Sequence, residues 1–72
     1  VRQIDLINRA REREGWNKLP AQLRELALLR VDYPDYSLKE LGELTQPPLS
    51  KPGVAYRMRR LEKMAEDLIG YS

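Results

Sequence analysis

The sequence predicts an all-α domain, a small bundle of about four helices, and three observations carry that expectation. Apolar residues recur at helical spacing along most of the 72 residues. Residues that start and stop helices fall between the periodic stretches, at Gly15, Pro20, Pro34, Ser37, Pro47, Pro48 and Ser50. The composition, 42% hydrophobic and 33% charged, is solvated yet too apolar and too periodic for a disordered tail.

Val1 to Glu14 reads as a first helix of mixed face, with apolar Val1, Ile4, Leu6, Ile7 and Ala10, an Asp5–Arg9 pair at i,i+4, and Gly15 placed to end it. Either it wraps over the domain or it continues a helix from further upstream; the spread of its apolar positions favours the second. Trp16 to Leu19 is a short connector, with Trp16 expected to plug the core. A second helix has Pro20 at its first position and an apolar stripe of Leu23, Leu26, Ala27, Leu29 and Val31, and Tyr33 before Pro34 ends it. Leu28 lies off that stripe, which suits a helix packed on two sides or one exposed leucine. Ser37-Leu38-Lys39-Glu40 is a capping box that opens a short third helix, with Leu38, Leu41 and Leu44 expected to face inward and the end set near Thr45 by Pro47 and Pro48.

Gln46 to Leu49 is then a turn, and Ser50 caps a long fourth helix with Pro52 and Gly53 in its first turn. At 100° per residue, Val54, Met58, Leu61, Ala65 and Leu68 fall within about 40° of one line and form a buried stripe. Pro52, Tyr56, Arg59, Arg60 and Lys63 fall on the opposite face. The helix is expected to fray near Gly70, leaving Tyr71 and Ser72 as a tail.

Composition excludes several functions. The chain has no cysteine and no histidine, which removes disulfides, thiolate zinc sites, cysteine nucleophiles and the commonest general base. Asp5, Glu12, Glu14, Glu25, Asp32 and Asp35 do not have the spacing of a calcium loop, and no glycine-rich phosphate loop or catalytic triad can be assembled. The expectation is therefore no enzyme, no catalytic residue, no metal, no cofactor and no small-molecule substrate. The longest uninterrupted apolar run, Leu26 to Leu29, is far short of the ~20 residues of a membrane span, so no membrane partner is expected. With Val1 first and no signal-like apolar segment, the chain reads as part of a longer cytoplasmic protein.

A sequence pI near 9.2 but a net charge of only +2 makes the placement of charge more telling than its total. Between residues 46 and 63 the charged groups are Lys51, Arg57, Arg59, Arg60 and Lys63 against Glu62 alone, whereas the preceding 45 residues are balanced. A short helix, a tight turn and a longer helix with a basic outward face make a helix-turn-helix, whose second helix enters the DNA major groove by its N-terminal half. The candidate DNA-binding residues are Ser50, Lys51, Pro52, Gly53, Tyr56, Arg57, Arg59, Arg60 and Lys63. Ser50, Lys51 and Gly53 put a hydroxyl, a cation and nearly bare backbone at a helix N-terminus, where a phosphate is well received. Tyr56 is an aromatic with no core to fill. Gly42 lies mid-helix at a propensity cost of about 1 kcal/mol, which implies close approach of the third and fourth helices.

The stretches LPAQLRELALLR (Leu19 to Arg30), SLKELGEL (Ser37 to Leu44) and LSKPGV leading into RMRRLEKMAE (Leu49 to Glu66) resemble the C-terminal helix-turn-helix domain of the WhiA family of bacterial sporulation and cell-division regulators. The resemblance spans about 50 residues, Leu19 to Leu68. It implies a transcription regulator that binds double-stranded promoter DNA, with a homing-endonuclease-like (LAGLIDADG) N-terminal domain lacking nuclease activity, and nucleoid association. Residues 1–18 would be the helical linker from that domain and residues 19–72 the DNA-binding domain. The segment is also similar to the promoter-recognition helix-turn-helix of sigma factors (region 4), with Gly42 and Ser50-Lys51 at matching positions; it departs in its longer turn, Gln46-Pro47-Pro48, and in Pro52, which removes a backbone N–H. The alternative function is a helical protein-interaction module, in which Leu28, or Ile4 and Ile7, docks a sigma factor, a WhiB-type regulator or the N-terminal domain.

Overall fold

Five stretches take up helical geometry in the computed structural model, which describes residues 2–70. They are α1 (Arg2–Arg11), a 3-10 helix (Glu14–Lys18), α2 (Ala21–Asp32), α3 (Leu38–Leu44) and α4 (Lys51–Leu68), and no strand occurs among the described residues. The expected helix start at Val1 and the tail of Tyr71 and Ser72 lie outside the described residues.

The chain's own stop signals set most boundaries. Pro20 is the N-cap of α2, one residue outside its expected place, and its carbonyl accepts from the Leu23 and Arg24 amides at 3.0 and 3.1 Å. Tyr33 caps the other end before Pro34. Arg30 Nη1 then donates to the Pro34 and Tyr36 carbonyls, both at 3.2 Å, and holds the loop into α3. The capping box forms as expected: Glu40 N–H donates to Ser37 Oγ at 3.2 Å, and Ser37 N–H donates to Glu40 Oε1 at 2.8 Å.

α4 is the axis of the domain and packs against α1, α2 and α3. Its stripe of Val54, Met58, Leu61 and Ala65 is buried, with Leu68 half-buried at the end. These side chains meet Ile7 from α1, Leu19, Leu23, Leu26 and Ala27 from the α2 region, and Leu41 from α3. α1 therefore shares the core of the rest of the chain and wraps over the domain, the less favoured of the two expectations for it. Along its inner side Ile7 and Ala10 are buried. Gln3 Nε2 donates to Glu62 Oε2 at 3.3 Å, and Arg30 Nε donates to Gln3 Oε1 at 2.9 Å, so a polar chain joins α4, α1 and α2 beside the apolar contact.

Several expectations are corrected. Leu44 does not face inward but is 36% exposed, because leucines three apart drift by about 60° per step and Leu44 has turned about 120° from Leu38. α1 ends at Arg11, and residues expected to form helix and connector form the 3-10 helix instead. Gly15 lies within that helix, where its missing side chain admits Leu68 Cδ2 from the end of α4. Trp16 is half-buried at the margin of the core, with no full burial. Ile7, offered as a docking residue, is in the core and unavailable to a partner.

Gly42 shows why the α3–α4 crossing needs a glycine. A Cβ there would collide with the Leu49 carbonyl oxygen and lie 2.9 Å from Val54 Cγ2. The expected approach to the fourth helix is present, and the turn comes closer still. Gly42→Ala is thus expected to destabilise the domain by ~1–3 kcal/mol through overpacking, against a helix-propensity gain of about 1 kcal/mol. Gly15→Ala meets only the flexible end of a half-buried Leu68 and should shift stability far less. Thermal melts followed by circular dichroism compare the two, with roughly 4–8 °C expected per kcal/mol in a domain of this size. A Gly42→Ala melt at or above the parent's would contradict the packing described.

Candidate nucleic-acid interface

The turn between α3 and α4 is built around one carbonyl. Gly42 O accepts from Leu49 N–H at 2.8 Å and from Thr45 N–H at 3.4 Å, and Thr45 Oγ1 lies 2.9 Å from it. The same hydroxyl is 2.8 Å from Pro47 O, so its single proton is shared by two carbonyls. The Gln46–Pro47 peptide is cis. Six residues, Thr45 to Ser50, thus fold back on α3 and deliver the chain to the start of α4.

At that start Ser50 is the N-cap, its Oγ accepting from Gly53 N–H at 3.4 Å. Pro52 has no N–H, the Gly53 N–H is taken by the cap, and the Val54 N–H is bonded to Ser50 O. Among the described residues, the N–H groups of Ser50 and Lys51 are therefore the two at this helix end without a hydrogen-bond partner. The partial positive charge of the helix end adds to the Lys51 ammonium. An anion at this end would meet the Lys51 ammonium and few free backbone N–H groups.

Pro52, Tyr56, Arg59, Arg60 and Lys63 share the side of α4 opposite its buried stripe, whereas Ser50 and Lys51 lie at the helix start at angles nearer that stripe. Ser50, Lys51, Pro52, Tyr56, Arg59, Arg60 and Lys63 are exposed, Tyr56 at 55%; Gly53 and Arg57 are half-buried at the flank. Among the described residues, no carboxylate lies within salt-bridge distance of Lys51, Arg57, Arg59, Arg60 or Lys63; the ion pair present is Arg9–Asp5 on α1, at 3.9 Å. Nor does any of these five side chains donate a hydrogen bond within the described structure. The nearest carboxylate in sequence, Glu62, is engaged by Gln3. From Lys51 to Lys63 the helix rises about 18 Å, more than the ~12 Å width of a B-DNA major groove. Beyond Lys63 the exposed charges change sign, at Glu66 and Asp67. The arrangement is a helix with a cationic first two-thirds and an acidic end.

Sequence reasoning missed Thr45, which it used only to mark the end of α3. The available signal was a hydroxyl residue between a helix and two prolines, where the backbone lacks donors. Among the described residues no helix is long and apolar enough to cross a membrane, and no group of acidic side chains is placed to hold a metal ion.

A comparison with protein-family models matches residues 1–65 to the WhiA C-terminal HTH domain. The chain belongs to this family. Among curated relatives, the probable cell division protein WhiA of Syntrophomonas wolfei is 55% identical over 69 residues, covering 96% of this chain and 22% of that protein. Those of Clostridium tetani and Heliobacterium modesticaldum are each 53% identical, over 68 and 66 residues, covering 94% and 92% of this chain and 21% of each relative. The chain thus spans about a fifth of the length of the WhiA proteins it matches. No solved structure matches it.

The cap that starts α4 can be tested apart from any ligand. Ser50→Ala is expected to lower stability by ~0.5–1 kcal/mol, the low end of the cap range given the long 3.4 Å bond. Ser50→Asp should restore the melt, since a carboxylate both caps the helix and suits its dipole. Equal losses in both variants would remove Ser50 from its capping role.

Proposed function

We propose that this domain binds double-stranded DNA in a sequence-specific manner through α4, as the DNA-binding module of a WhiA-type regulator of transcription and cell division. The observation that carries this reading is the row of exposed cations on α4 with no internal partner. An unpaired cationic row following a short helix and a rigid turn fits the negative rows of a groove wall, with Lys51, Tyr56 and Arg60 reaching base edges. Arg57 and Lys63 hold phosphates, Ser50 and Gly53 frame the helix start, and Pro52 rests against the backbone. Arg59 faces outward and completes the stripe. Promoter DNA in the nucleoid is the partner, and no catalytic step is assigned to any residue. Residues 1–18 link the DNA-binding unit to the rest of a longer protein while α1 is packed on it. A sigma factor or WhiB-type protein is the second partner class, for which Leu28, 42% exposed on α2, is the surface residue that favours it.

The measurement is affinity for duplex DNA against salt. If about four phosphates are neutralised, log K against log salt should slope near −3.6, at ~0.9 per contact. A flat response would overturn the reading, since apolar docking lacks this salt dependence.

Selection of bound duplexes from a random pool then yields a preferred site on which residues are sorted. Lys51→Ala, Tyr56→Ala and Arg60→Ala are each expected to cost ~1–3 kcal/mol on the preferred site and to flatten discrimination against single-base-pair variants. Arg57→Ala and Lys63→Ala should weaken all duplexes alike and reduce the salt slope by about one unit each. Equal losses on every duplex for all five variants would refute the division.

A further inference from the structure

Thr45 carries the buried polar side chain of the core, 1% exposed, and it is neither on the DNA-facing side nor needed to fill space, which a valine of the same shape would do. Burying a hydroxyl is unfavourable unless it is bonded, so its bonds say what it contributes. Both lead to main-chain carbonyls: Gly42 O in the last turn of α3, at 2.9 Å, and Pro47 O in the middle of the turn, at 2.8 Å.

The reason the turn uses a side chain lies in its sequence. Pro47 and Pro48 have no N–H, so two successive residues at the apex cannot donate to anything. The next amide that returns to α3 is Leu49, which closes on Gly42 O at 2.8 Å. Without the Thr45 hydroxyl, the segment from Gln46 to Pro48 would be tied to α3 by no hydrogen bond of its own. Beyond that Leu49 bond, the start of α4 is held by the Leu49 side chain, half-buried against the core, and by the Ser50 cap. The buried stripe of α4 begins only at Val54, whereas Ser50, Lys51 and Pro52 are exposed.

We propose that Thr45 is a positioning residue for DNA recognition: its buried hydroxyl, bridging Gly42 O and Pro47 O, supplies the donor that the two prolines lack and fixes the start of α4 where Lys51 meets the base edges. The inference rests on the DNA-binding role proposed above. A base-edge hydrogen bond tolerates only small displacements, whereas a long cationic side chain follows a phosphate through larger ones. Loss of the hydroxyl should therefore damage discrimination and spare the sequence-independent attraction.

The test compares the wild-type chain with Thr45→Val and Thr45→Ser, on a duplex recovered by the wild type from a random pool and on a scrambled duplex of equal length. Thr45→Val is expected to lose about tenfold in affinity for the recovered duplex, to bind the scrambled duplex within about twofold of wild type, and to keep the salt slope. Thr45→Ser, which retains the hydroxyl, is expected to keep the wild-type discrimination. Thr45→Val should also lose hydrogen-exchange protection at the Leu49 amide while the amides of Met58 and Leu61 keep theirs. Retained discrimination in Thr45→Val, or equal losses on both duplexes, would overturn the role of Thr45. If Thr45→Val does not fold at the assay temperature, Thr45→Ala, which also lacks the hydroxyl, is compared at a lower temperature where it is folded: lost discrimination with unchanged binding of the scrambled duplex supports the role, and retained discrimination overturns it. A wild-type chain that binds no duplex with salt dependence overturns the DNA reading itself, a failure seen before any substitution is made.

Discussion

The carbonyl oxygen of Gly42 receives the Leu49 amide and shares the Thr45 hydroxyl, and it is reachable only because residue 42 has no side chain. That one absence lets the turn lie against α3, which in turn brings Val54 into contact with the same helix. A Cβ at this point would push the turn outward and separate α3 from the first buried residue of α4. In a domain of 72 residues with no disulfide, such a shift has few other contacts to oppose it. The helix pair is therefore fixed by main-chain geometry at its closest point, and the apolar side chains fill the space that geometry defines.

α4 serves two purposes with opposite faces. Its inner stripe packs against α1, α2 and α3, and its outer side carries exposed cations whose charges are not used internally. Because side chains on a helix separate cleanly by angle, a change on the outer side alters charge without opening a cavity. The reverse holds for Met58 or Leu61, where truncation would loosen α1, α2 and α3 together. Gln3 stands on the flank between the two faces, donating to Glu62 and accepting from Arg30.

Much of this was legible in the sequence because it depends on neighbours within a few residues. Ser37 and Glu40 specify their box by spacing alone, Ser50 its cap, and Val54 to Ala65 their stripe. The outward grouping of Tyr56, Arg59, Arg60 and Lys63 followed from the same arithmetic, while Arg57 lay off that line and is half-buried. The features that were not legible depend on distant partners. Gly15 resembles a helix terminator, yet it lies inside a 3-10 helix and its neighbour is Leu68 at the other end of the chain. α1 has apolar residues on more than one side, and only the position of α4 shows that Ile7 and Ala10 point inward. Leu44 shares a three-residue spacing with Leu41, but a helix of seven residues has one inner side and Leu44 has already rotated off it. Thr45 needed the shape of the turn, since the carbonyls it reaches are placed there by two prolines and a glycine.

The reversal of charge along α4, cationic from Lys51 to Lys63 and acidic at Glu66 and Asp67, has a consequence for the approach to DNA, before any contact forms. A body with separated positive and negative ends experiences a torque in the field of a polyanion, which turns the positive end toward it. On the DNA-binding reading, α4 contributes to such an orientation, while Arg2, Arg9 and Arg13, which share surfaces with Glu66 and Ile69, offset its acidic end. Orientational search is a main reason that protein association falls below the diffusion limit. A pre-oriented encounter narrows that search, and it does so only within the screening distance of the surrounding salt, ~8 Å at physiological ionic strength.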